Sequence, residues 1–343
     1  MINNTKTTNT LLLIIVIPIV FYILKTLSFI FIPLVFSMFI ALLFLPFMRW
    51  LKKYRVPKPI SIILVILIIG TLLKLGGELL QLASKEILAA DANLINKLET
   101  NLTNLVLSVE AFFGIQRPEE DGILMHYLND VDLFNEFGTT LNFLSDTLSM
   151  TLMTVFFSVL WLSESINFQK LLNSTILKQR HTSVKVFRRI EKDLIKFIIV
   201  KIIISLITGL GFYFACLWFN ISFPIFWGLF AFAINFLQMI GSFISVVVVS
   251  VFGLVELDLT ATLLIFTLVL TGIQALMGGV VEPVFMGKSF SINVISILVM
   301  LMFWGYLWGI PGLIMSIPIT VFIKILLEQY QGSKVLSEIM SGK

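Results

Sequence analysis

The chain has 343 residues, of which 58% are apolar and only 13% charged, with 32 Phe and a formal net charge of +4. A soluble domain carries about 25% charged residues, so this composition excludes a soluble globular protein, a disordered chain and a collagen-like repeat. One cysteine, Cys216, excludes an intramolecular disulfide, and its place in an apolar run reads as an inert buried thiol.

A membrane helix needs about 20 predominantly apolar residues. Such runs fall at 7–25, 27–48, 59–80, 147–163, 202–219, 223–240, 241–256, 259–280, 290–306 and 308–327. Several are short, and some are separated by only one to three residues. The expected fold is therefore an all-α polytopic membrane protein with about 8 membrane helices, including tight or re-entrant hairpins, plus amphipathic extramembrane helices. The first run contains Pro18 and lacks a small-x-small cleavage site, so it reads as mature structure rather than a signal peptide.

In chain order, residues 1–80 hold N-terminal membrane helices around a basic loop at 48–58. That loop carries Arg49, Lys52, Lys53, Arg55 and Lys58 and no acid. Residues 81–146 form an extracytoplasmic segment with eleven acids against Lys85, Lys97 and Arg117. Within it, Leu94, Leu98, Leu102, Leu105, Val109 and Phe112 recur at helical spacing. That stripe reads either as a helix lying on the protein's own outer face or as a subunit contact in a homo-oligomer. Arg117 to Gly122 then reads as a polar turn.

Residues 147–201 hold a membrane helix followed by a basic amphipathic helix. Val184, Phe187, Ile190, Leu194 and Phe197 form its apolar face, and Lys185, Arg188, Arg189, Lys192 and Lys196 surround it. Such a helix lies at an anionic inner leaflet, so membrane lipid is an expected partner and nucleic acid is not. The positive loops place 48–58 and 164–201 inside and both termini in the cytoplasm of a multi-pass membrane protein. Residues 202–327 form a denser C-terminal core, and 328–343 a cytoplasmic tail.

Motifs exclude most catalytic chemistry. Residues Glu282 to Ser289 end like a phosphate-binding loop, but a carboxylate stands where the first glycine is required. His126 and His181 lie in polar segments, away from any membrane serine. No His/Cys grouping has metal-ligand spacing, and only Asp258 approaches membrane depth among the aspartates. No enzyme, metal or cofactor is expected.

Transport chemistry is expected where apolar runs break and polar atoms reach membrane depth. One break is Asn235 to Ser242, bringing Asn235, Gln238 and Ser242 with Gly241. A second runs from Gly278-Gly279 through Glu282-Pro283 to Gly287-Lys288, with Gln274 one turn earlier. A third is Trp304 to Gly312, with Gly309, Pro311 and Gly312 as its hinge and Pro318 further on. Glu282, beside expected unwound backbone, reads as a carboxylate that binds a cation or exchanges a proton, or as a helix-ending Glu paired with Lys288. Lys74 and Glu78 are spaced to pair on one helix face. Lys25, Asp258, Glu164 and Lys201 are placed at hairpin tips or span ends, where snorkelling accounts for them. Ser205/Gly209 and Gly305/Gly309 have the small-xxx-small spacing of close helix packing.

At these same segments the chain resembles the autoinducer-2 exporter family. Val281-Glu282-Pro283-Val284-Phe285-Met286-Gly287-Lys288 is similar to its Glu-Pro-x3-Gly-Lys segment, and Gly305 to Lys324 to its Gly-x-Gly-Gly-Pro closing hairpin. Asn235 to Ser242 resembles a segment that usually has proline before x-x-Gly; here Gln238 stands in its place. The resemblance implies export of the signalling furanone autoinducer-2 in some members, sodium or lithium exchange for protons in others, and homo-oligomeric assembly. The expected function is a secondary transporter or permease exporting a small solute, with H+ or Na+ as a coupling partner. The alternatives are a Na+(Li+)/H+ antiporter using Glu282 and a non-transporting oligomeric membrane scaffold.

Overall fold

The computed structural model describes residues 4–88, 100–101, 103, 107, 149–164, 182–237, 240–257, 260–286 and 293–327. These form α1 (Asn4–Thr26), α2 (Ser28–Lys53), α3 (Lys58–Leu88), α4 (Ser149–Glu164), α5 (Thr182–Trp218), α6 (Pro224–Ile234), α7 (Ile240–Leu257) and α8 (Ala261–Gln274). A π-helical segment, Ala275–Val281, then leads into α9 (Glu282–Met286), and α10 (Val294–Leu327) follows. No strand occurs among the described residues, as backbone sequestered from water requires of a helical membrane protein. Among the described residues, six helices are long and apolar enough to cross a bilayer.

One expectation changes. The amphipathic helix and the span after it are one helix, α5, because no Gly or Pro interrupts 182–207. In α10 length alone would allow a single span, but Gly309 leaves helical geometry at φ 62°, ψ −140°. A Cβ on Gly312 would overlap the Trp304 carbonyl oxygen, and one on Gly305 would lie 2.6 Å from Leu313 Cδ2. Along a straight helix eight residues separate atoms by about 12 Å. The chain therefore reverses at Gly309, and legs 294–308 and 310–327 lie against each other.

The chain divides into two compact units, and the division falls inside α3, α5 and α9. In the first unit, Ala41, Met48, Val65, Ile69 and Leu162 form one core, and Ile32, Trp304, Leu307 and Trp308 another. Trp308 Nε1 donates to the Leu24 carbonyl at 3.0 Å, and the Lys25 ammonium lies 3.7 Å over the Tyr306 ring. Cation–π contact explains Lys25 better than snorkelling alone.

The second unit contains 200–218 of α5, then α6, α7 and α8 with its continuation, as successive antiparallel legs. A Cβ on Gly209 would lie 2.7 Å from the Gly228 carbonyl, which brings the α5 and α6 backbones together. Gly241 meets the Ile234 carbonyl where α6 turns into α7, and Gly253 in α7 meets the Phe266 ring of α8. Ile273 of α8 packs back on Gly211 of α5, closing the four legs into a ring. Phe212, Cys216, Trp227, Val249, Phe266 and Leu270 fill one half of this bundle. At that end the Glu86 carboxylate accepts from the Ile225 and Phe226 N–H groups, and Glu256 accepts from the Ser222 N–H. Acidic groups at the start of α6 satisfy its free N–H groups and complement its dipole. Lys74 and Glu78 pair at 3.7 Å as spaced, in a largely exposed position.

Candidate functional site: a buried polar seam in the second unit

The other half of the bundle is polar. Lys201, Ser205 and Thr208 of α5 recur at i, i+4 and i+7 and are 3%, 0% and 0% exposed, so one face of an apolar helix is polar and buried. Lys201 and Ser205 each find a partner on another leg, and a further polar pair joins two other legs. Lys201 Nζ donates to both carboxylate oxygens of Glu282, at 3.2 and 3.1 Å. Asn235 Nδ2, at the end of α6, donates to Ser205 Oγ at 3.0 Å. Gln274 Nε2 in α8 donates to Ser245 Oγ in α7 at 2.8 Å. Ser242 Oγ lies 3.5 Å from where a Gly278 Cβ would stand.

Backbone geometry sets the carboxylate. Pro283 offers no N–H to the carbonyl four residues before it, and its ring would crowd that carbonyl in a regular α-helix. The preceding turn is widened: the Glu282 N–H donates to Met277 O, five residues back. Gly278 and Gly279 sit within this π-helical segment, a form concentrated at functional sites. The expected unwinding is thus a widening, and the backbone stays helical through Glu282 (φ −59°, ψ −52°). Glu282 is buried against Lys201. Lys288, its expected partner, lies outside the described residues, as do Gln238 and Gly287.

The seam therefore gathers Asn235, Ser242, Gln274, Gly278, Glu282 and, next along the chain, Pro283. Gly241 stands at the α6–α7 turn and Gly279 within the π segment. Gly309, Pro311 and Gly312 belong to the α10 reversal in the first unit. Sequence reasoning assigned Lys201 to snorkelling and Ser205 to helix packing, and it singled out neither Thr208 nor Ser245. Lys201 is the instructive error: it stands inside α5, not at a span end, and is buried with a carboxylate rather than snorkelling. Its i, i+4, i+7 polar spacing was the available signal.

Some of the seam's polar atoms are incompletely satisfied. Among the described residues, Thr208 Oγ1 and Gln274 Oε1 are buried without a hydrogen-bond partner. A group left this way costs about 1–3 kcal/mol. Flipping the Gln274 amide would exchange its O and N and still leave one of them unpaired. The ammonium and carboxylate neutralise each other, so the seam offers hydrogen bonds without net charge from that pair. Such a lining suits a polar solute that brings its own donors and acceptors.

Proteins similar in sequence are named as transporters. The chain is 26% identical to the "AI-2 transport protein TqsA" of Escherichia coli K12 over 90% of this chain and 89% of that one. It is 25% identical to a Haemophilus influenzae protein named "Putative transport protein", over 95% and 94% of the two chains. A Borreliella burgdorferi protein of the same name is 31% identical over 45% of this chain and 42% of its own length. The model of the AI-2E family of transporters matches residues 11–332, a range that takes in both helical reversals and the whole polar seam. The chain belongs to the AI-2E transporter family.

Proposed function

We propose that the protein is a secondary transporter of a bacterial inner membrane that exports a small, uncharged, hydrogen-bonding solute through the second unit's polar seam. The cargo class is that of autoinducer-2, which the name of the E. coli relative carries. The observation behind this reading is the buried Lys201–Glu282 pair beside a π-helical turn, with the unpaired Thr208 and Gln274 atoms in the same bundle. Unpaired polar atoms at membrane depth are sustained when a ligand or water completes them. The widened turn gives the carboxylate a place to move, so binding and release alternate between a closed and an opened pair. In this reading both termini are cytoplasmic, the α6–α7 and α10 reversals are membrane hairpins, and a homo-oligomer forms through the outer segment 94–112.

A Na+(Li+)/H+ antiporter is the second reading, favoured by a carboxylate inside an apolar helix. Against it, both oxygens of Glu282 already face an ammonium at 3.1 and 3.2 Å, which a metal cation would have to displace. Energised everted vesicles, a ΔpH dye and added Na+ or Li+ separate the two. Wild-type vesicles are expected to hold their ΔpH, while cells expressing wild type, but not Lys201→Gln or Glu282→Gln, export autoinducer-2. Cation-dependent collapse of ΔpH by wild type alone would establish the antiporter instead. Unchanged export by both variants would remove the pair from the mechanism.

A further inference from the structure

A second polar surface, in the first unit and outside the seam, joins two segments far apart in sequence. Arg49, near the end of α2, bonds Glu191 in α5 at 2.6 Å, and Glu191 is buried while Arg49 stays half exposed. Lys58 at the start of α3 donates to the Ser163 carbonyl at the end of α4. These contacts hold the α2–α3 turn against α4 and α5.

The side chains left outward are basic and aromatic. Lys52, Lys53 and Arg55 are exposed on the turn, where Arg55 adopts a left-handed conformation at φ 59°. Lys192 and Lys196, one helical turn apart on α5, are exposed beside the bridge. Trp50 and Tyr54 are 53% and 64% exposed, with ring centroids 4.8 Å apart, and Trp50 also stacks on Phe47. Among the described residues, the acids nearby are Glu191, held by Arg49, Asp193, which is partly buried and engaged, and Glu164, exposed at the end of α4. Cations therefore predominate at the end of an apolar 26-residue helix.

Exposed Trp and Tyr at a span end sit at the depth of the glycerol and headgroup layer, and Lys and Arg beside them face phosphate. The bridge gives the two basic segments one shared position, which independent loops would lack. We propose that this surface is a binding site for the headgroup of an acidic phospholipid, with Lys52, Lys53, Arg55, Lys192 and Lys196 facing the phosphate and Trp50 and Tyr54 packing on the glycerol region. Charge complementarity selects this occupant: a zwitterionic headgroup adds an ammonium that the same cations repel.

The test uses delipidated full-length protein in neutral detergent, with phosphatidylglycerol, phosphatidylcholine or soluble glycerophosphate added and bound molecules counted by native mass spectrometry. Wild type is expected to hold phosphatidylglycerol about tenfold more tightly than phosphatidylcholine, and to lose most of that preference at ~0.5 M salt. The Lys52→Gln/Lys53→Gln and Lys192→Gln/Lys196→Gln pairs should each lower the preference several-fold. Equal binding of both lipids by wild type would overturn the proposal. So would a preference unchanged by salt and by both pairs, or glycerophosphate held as tightly as the lipid.

Discussion

The Lys201–Glu282 pair shows what burial does to a charge. Removing one partner of a buried pair leaves the other uncompensated, at about 3–5 kcal/mol, whereas replacing both by apolar groups of similar size is often neutral. Glu282→Gln alone should therefore lower the thermal midpoint of the detergent-solubilised protein clearly. Lys201→Met/Glu282→Met should bring it back near wild type, with export still absent. Recovery of both stability and export in the double variant would make the pair purely structural. Half of this pair was legible in the sequence. Glu282 stands out as a lone carboxylate in an apolar stretch, but Lys201 closes a run of nine basic residues in 164–201 and reads as the snorkelling end of a span. Charge counting assigns a residue to its sequence neighbours; only the continuity of α5 moves Lys201 inside.

At the scale of elements, glycines divide by what surrounds them. Gly312 and Gly241 have the carbonyls of Trp304 and Ile234 where a Cβ would be, so neither reversal can close around alanine. Backbone atoms give way far less readily than a flexible side chain. Gly279, within the π segment, has nothing within 4 Å of the same position. Gly312→Ala is expected to abolish accumulation of folded protein, judged by a monodisperse size-exclusion peak. Gly279→Ala should fold as wild type and gain up to about 1 kcal/mol of helix propensity. If Gly312→Ala folds normally, the close packing of the α10 legs is wrong. The reversals were readable beforehand because Gly and Pro cluster at them, as in Gly309-Ile310-Pro311-Gly312. The π segment was not. Gly278, Gly279 and Pro283 signal that a helix is disturbed, and whether it breaks or widens is decided by packing on both sides, which here includes Ser242 against Gly278.

For the whole molecule, the uncertain quantity from sequence was how often the chain crosses the bilayer, because hydropathy measures apolar length and not direction. α6 has 11 residues, or about 17 Å, and cannot span roughly 30 Å of hydrocarbon alone. The α10 chain turns back at Gly309, so the segment before α10 and the tail after it should emerge on one side. Cysteine labelling reads this directly. The native thiol, Cys216, is 0% exposed, so the unmodified protein provides its own unreactive background. Asn293→Cys, and separately a cysteine appended after Lys343, are expected to react with a membrane-impermeant maleimide from the same face, in intact cells or in everted vesicles but not in both. Labelling from opposite faces would mean that 294–327 crosses as one span, a result incompatible with Gly312 lying on the Trp304 carbonyl. Six long apolar helices would then each cross once, and the α10 hairpin would have to be withdrawn.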